Sequence, residues 1–183
     1  MLIDAAYLKL LDNLLFKISL ALPPGAKVVV AGGAIRDMLL EKEIADIDVF
    51  IEDDVEKNIK LHMWFTKVEL CEYGLYEDSS FNVLYKITDK DFPVPIQIIK
   101  VTGTVEEHIE KFPLSLSRVF YSEEKGLQNI TPKFLKESLG QQVLFDKPVN
   151  YQYLDKMKQK FPNWMVSFAK PEYNPAHQHE LEF

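Results

Sequence analysis

Residues 27–51 leave this chain few folds to choose from. Lys27-Val-Val-Val-Ala31 is an apolar, β-branched run that stops at Gly32-Gly33, and Ala34 to Leu40 has the composition of a short helix. A second run, holding Ile44, Ile47, Val49, Phe50 and Ile51, suits a buried strand and carries Asp46 and Asp48. Side chains two apart on a strand leave the same face, so these two carboxylates would be aimed together. They would repel unless a cation lay between them, and Mg²⁺ is the usual cation where phosphates are co-ligands. A double glycine before a helix N-terminus lets a phosphate approach the backbone closely. Strand, glycine turn, helix and carboxylate strand together suit phosphoryl or nucleotidyl transfer.

Gly32-Gly33-Ala34-Ile35-Arg36-Asp37, then Leu39-Leu40, then Asp46-Ile47-Asp48, resembles the signature of the DNA polymerase beta-like nucleotidyltransferase superfamily. It is most similar to the branch holding the CCA-adding enzymes and poly(A) polymerases. Glu41 stands where that branch commonly has glycine. More loosely, the remainder resembles small stand-alone members from phages and large viruses, in which a strand like Ile96-Gln97-Ile98-Ile99 precedes a short helix. The resemblance implies that Asp46 and Asp48 are the catalytic, metal-binding pair for Mg²⁺ (or Mn²⁺). It also implies that Gly32 and Gly33 receive a nucleoside triphosphate, with Arg36 in support.

The same superfamily commonly adds a third carboxylate from a neighbouring strand. The expected carrier, Val94 to Val101, has Gln97 there, and Phe112-Pro113-Leu114-Ser115 has Pro113 at the alternative place. Glu69, Glu72 and Glu77 are the substitutes to examine. The chain has 19 lysines and only two arginines, Arg36 and Arg118. Arginine binds phosphate through two parallel hydrogen bonds as lysine cannot, so Arg118 joins Arg36 as a nucleotide-binding candidate. For Arg36 the competing reading is an ion pair with Asp37 that anchors the helix.

A net charge of −7 argues against a protein that grips nucleic acid chiefly through its backbone, and disfavours a nucleic-acid-binding structural module. Lys156, Lys158 and Lys160 form a local basic stretch whose simplest reading is a solvated helix face. A lone Cys71 excludes an internal disulfide, no apolar run approaches a membrane span, and Asp4 replaces the basic start of a secretory signal. The expected place is the cytoplasm, or the host cytoplasm for a viral chain. His177 and His179 have a spacing that could bind metal, but lack further ligands.

Leu8, Leu11, Leu15 and Ile18 predict an amphipathic helix over 4–20, ended by Pro23-Pro24-Gly25. Further helices are expected over 55–66, from the Thr104 capping box to Lys111, from Thr131-Pro132 to Gly140, and over 151–160. Strands are expected at 67–70, 82–88, 95–101, 115–121 and 142–145, with 82–88 and 95–101 an antiparallel pair. Ser115, Ser117 and Arg118 would line a site or face water.

The fold class expected is α+β: a mixed, largely antiparallel sheet of four to six strands, helices chiefly on one side, and the motif at the sheet edge. Residues 1–170 would form one minimal nucleotidyltransferase-like domain and 171–183 a loosely attached tail. About 60 residues follow Tyr121, too few for the helical body of a tRNA-binding CCA-adding enzyme. The expected activity is metal-dependent transfer of a nucleoside monophosphate to an acceptor hydroxyl on an RNA end such as tRNA, a protein or a small molecule. The alternative is a catalytically degenerate fold that binds a nucleotide or a protein.

Overall fold

The computed structural model describes residues 3–52, 60–71 and 81–177. Its helices begin where local chemistry caps them. α1 (Ala5–Ala21) starts at Asp4, whose carboxylate accepts from the Ala6 N–H, and buries Leu11, Leu14, Leu15 and Ile18. α3 (Val105–Ile109) has the reciprocal Thr104–Glu107 capping box. α4 (Pro132–Leu139) has Thr131 as N-cap and proline in its first turn, and α5 (Tyr151–Lys160) has Asn150 accepting from the Tyr153 N–H. The expected helix over 55–66 lies partly outside the described residues, and its described end holds a 3-10 turn at Leu61–Met63.

Seven strands form one mixed sheet. They are β1 (Val28–Ala31), β2 (Ile47–Glu52), β3 (Lys67–Leu70), β4 (Phe81–Thr88), β5 (Ile96–Val101), β6 (Phe120–Ser122) and β7 (Gly126–Gln128), in the order β3-β4-β5-β2-β1-β6-β7. β2 pairs parallel with β5 and the other neighbours pair antiparallel. Two further strands, β8 (Gln142–Phe145) and β9 (Met165–Phe168), pair in parallel on either side of α5. The α+β class therefore holds, but the carboxylate strand β2 is central, not at an edge, and the sheet exceeds six strands. Among the described residues no helix is long and apolar enough to cross a membrane.

One face of the sheet sends Val30, Val49, Ile51 and Ile98 into the main core with α1, α2 (Gly33–Leu39), α4 and α5. The other face, with Val29, Ala31, Phe50 and Ile99, is covered by α3 and Phe112. Helices thus lie chiefly on one side, and Asp48, paired with Ala31, stands on the second face.

Ser115 to Tyr121 is not one strand. Ser115–Ser117 is a 3-10 turn, and β6 starts at Phe120. The alternation of serine and leucine suggests a half-exposed strand, yet Ser115, Leu116 and Ser117 are all buried. Beyond α5, Pro171–Tyr173 forms a 3-10 turn and Pro175 is buried, while His177 is exposed and His179 lies outside the described residues.

α2 ends with Leu40 as C-cap, and Glu41 follows at φ 54. This is the left-handed conformation that glycine adopts freely and other residues adopt at a cost of roughly 1–2 kcal/mol. The usual glycine of the motif is thus explained by backbone shape, and this chain keeps the shape without it. Glu41→Gly is expected to stabilise the fold by about 1 kcal/mol, raising the melting temperature by about 3 °C. Thermal denaturation monitored by circular dichroism checks this.

Candidate functional site

β1 delivers the chain to Gly32, which stands at φ 82 and ψ −136, a conformation nearly confined to glycine. A Cβ there would lie 3.5 Å from the Phe112 ring, and one on Gly33 would lie 3.4 Å from Arg36 Nη2. The two glycines therefore let the chain turn between an aromatic ring and a guanidinium before α2 begins.

Beside this turn, Ala31 pairs with Asp48 and Asp48 with Gln97. Cross-strand partners share a face, so Lys86, Gln97, Asp48, Ala31 and Phe120 form one row across five strands. Asp46 and Asp48 are both partly buried. Burial, and next the charge of Asp46, push the Asp48 carboxyl up to about 7, while Lys156 on α5 pulls it down. Gln97 Nε2 lies 3.5 Å from Asp46 Oδ2, a weak donor contact to one carboxylate. Two partly buried carboxylates this costly to ionise together suit a divalent cation bound with other oxygen ligands.

Glu69 is not a third ligand. It lies in the same row but on β3, three strand spacings or about 14 Å from Asp48, exposed and paired with Lys67. Glu72 and Glu77 lie outside the described residues. Among the described residues no group of three His, Cys, Asp or Glu side chains is arranged to hold a metal. Glu52, at the far end of β2, accepts instead from the Val105 N–H at 3.1 Å.

The two arginines are engaged inside the protein. Arg36 is 2% exposed; its Nε donates to Asp37 Oδ1 at 2.7 Å and its Nη1 to Ser117 Oγ at 2.9 Å. The guanidinium also faces Met157 Sδ at 3.4 Å and the Phe161 ring at 5.5 Å. It holds α2, the Ser115–Ser117 turn and α5 together beneath the glycine turn. Arg118 donates to both Asp146 oxygens and to the Phe112 carbonyl, fixing the aromatic beside Gly32. Ser115 donates to Glu137, and neither serine faces water.

α5, whose lysines read from sequence as a solvated face, packs beside the motif helix. Leu154 and Met157 bury its inner face, Lys160 pairs with Asp37 of the motif helix, and exposed Lys156 lies close enough to influence Asp48. The lysines of this helix are thus not simply a solvated face. The available signal was the i, i+4 spacing of Lys156 and Lys160, which places both on one side.

The fold is similar to that of CCA-adding enzymes. A complex of such an enzyme with CTP matches 97% of this chain at 14% identity and a TM-score of 0.61. An apo form matches 97% at 13% and 0.62, and the Thermotoga maritima enzyme complexed with tRNA matches 96% at 15% and 0.61. The chain spans 44%, 43% and 42% of those three structures. No match was found among curated proteins. The model of the Gabija anti-defense 2 family matches residues 7–141, which include the glycine turn, both aspartates, Gln97 and Arg118. With most of its length so matched, the chain belongs to the Gabija anti-defense 2 family.

Proposed function

We propose that this protein is a metal-dependent nucleotidyltransferase, transferring a nucleoside monophosphate from a nucleoside triphosphate to an acceptor hydroxyl. The observation that carries this reading is Asp48 on a central strand, with Asp46 just before its start, directly beside the Gly32-Gly33 turn. Support comes from the fold shared with CCA-adding enzymes, one of them complexed with CTP and another with tRNA. Asp46 and Asp48 hold Mg²⁺ or Mn²⁺, which when bound supplies Lewis-acid stabilisation of charge on the phosphates. The Gly32-Gly33 backbone receives the phosphate chain, and Phe112 and Arg36 fix that turn from either side. The acceptor is an RNA end, a protein or a small molecule, and the name of the Gabija anti-defense 2 family supports a use in countering Gabija defence. A cytoplasmic site of action, in the host for a viral chain, belongs to the same reading.

The test is transfer of label from α-labelled nucleotides, each offered with Mg²⁺ or Mn²⁺, to RNA and to protein extract. Wild type is expected to transfer label, and Asp46→Ala/Asp48→Ala to lose at least a thousandfold of that activity while staying folded. Undiminished transfer by the folded double variant refutes the assignment.

A second reading is a nucleotide- or protein-binding regulator without turnover. Its specific support is Gln97, a neutral amide at the β5 position paired with Asp48. Nucleotide binding that persists in EDTA, with no transfer in any metal, would favour it.

A further inference from the structure

A bound nucleoside triphosphate needs cationic partners, since its phosphates and the Asp46–Asp48 pair repel each other. Neither arginine of the chain is free to serve. Arg36 is held by Asp37 and Ser117 in the interior, and Arg118 is paired with Asp146. Lys86 lies on the site face but two strands, about 10 Å, from Asp48.

α5 supplies the missing charge. Asn150 caps its start, and the Met157–Arg36 contact fixes it against the motif helix. Lys160 pairs with Asp37 and donates to the Glu43 carbonyl at 3.1 Å, anchoring one end of the helix beside the glycine motif. Lys156 stands one turn earlier on the same side, exposed and without an ion-pair partner among the described residues.

We propose that Lys156 is a triphosphate-binding residue of this site, its ammonium donating to phosphate oxygens of the nucleotide lying between α5 and the Gly32-Gly33 turn. The proposal rests on the nucleotidyltransferase reading above. It adds a residue outside the 7–141 span of the family match, on a helix that reaches the site only through the Arg36, Asp37 and Met157 contacts.

Calorimetric binding to the full chain tests this, using Mg²⁺ with ATP, CTP, GTP or UTP and with the corresponding monophosphates. Wild type is expected to prefer triphosphates. Lys156→Met should weaken triphosphate binding about tenfold, change monophosphate binding less than twofold, and leave the melting temperature unmoved. Lys156→Arg should restore the preference, because it returns a cationic donor. Equal triphosphate affinity in wild type and Lys156→Met overturns the role of Lys156 and leaves the nucleotidyltransferase reading standing. Absence of triphosphate binding in wild type overturns both.

Discussion

Asp48→Asn is expected to raise the melting temperature by about 10 °C at pH 8 in EDTA while removing any stabilisation by Mg²⁺. In the folded protein burial and the neighbouring Asp46 push the Asp48 carboxyl up to about 7, against an ordinary value of 3.8. An acid whose folded value is raised binds more protons folded than unfolded between those two pH values. Its contribution to stability is therefore greatest below about pH 4 and declines as pH rises through 7. At 1.36 kcal/mol per unit, the ionised pair costs the fold roughly 2–4 kcal/mol at pH 8, and each kilocalorie moves the melting point of a chain this size by 2–4 °C. The neutral amide avoids that cost. The difference between variant and wild type should vanish near pH 4 and reach its full size above pH 7. Taking the difference is necessary because His108, buried beside Phe50 and with its pKa lowered to about 4, gives wild type a slope of opposite sign between pH 4 and 6.5. Thermal scans at pH 4, 6 and 8 check the prediction. An unchanged melting point at pH 8 would mean that the carboxylate pair stores no repulsion, removing the physical reason for a cation between them. A costly charge pair at the centre of a sheet is what a site selected for binding, not for stability, looks like.

The parts of this fold legible in sequence are those with local causes. Thr104, Thr131 and Asn150 cap helices through their own side chains, and the hydrophobic spacing of α1 reports the face it buries. β3 and β8 fall where their apolar and β-branched residues suggest. What escaped was set by distant partners. Ser115 and Ser117 read as the polar side of a strand, yet Glu137 and Arg36 satisfy them in the interior. β7 and β9 are three and four residues long and only partly buried or exposed, so neither carries a clear alternation. The glycine turn and both aspartates were visible because backbone conformation and pairing of carboxylates are local. The lysines of α5 were not, because their nearness to the motif depends on a helix packed more than a hundred residues away in sequence.

Arg36 separates the two kinds of evidence most sharply. Its place inside the signature suggests a phosphate ligand, whereas its surroundings describe an internal clamp. The Nε–Asp37 and Nη1–Ser117 bonds, the Met157 sulfur and the Phe161 ring leave only 2% of the residue exposed. Arg36→Met keeps much of the side-chain length but leaves Asp37 with Lys160 alone and Ser117 without its donor. Removing one partner of a buried ion pair costs about 3–5 kcal/mol, so the melting temperature should fall by about 10 °C. Arg36→Lys should recover little, since one ammonium cannot meet Asp37 and Ser117 in the planar geometry of the guanidinium. Arg36→Met/Asp37→Asn should recover little either, because Asp37 still holds Lys160 in Arg36→Met and the second change leaves that ammonium unpaired instead. A direct phosphate ligand would behave in the opposite way: Arg36→Met would melt like wild type and lose triphosphate affinity. Thermal denaturation and calorimetric nucleotide binding on the same three variants decide between them. The clamp makes the further prediction that any loss of nucleotide binding in Arg36→Met tracks its loss of stability, since the glycine turn and Lys156 are both positioned through the contacts that Arg36 makes.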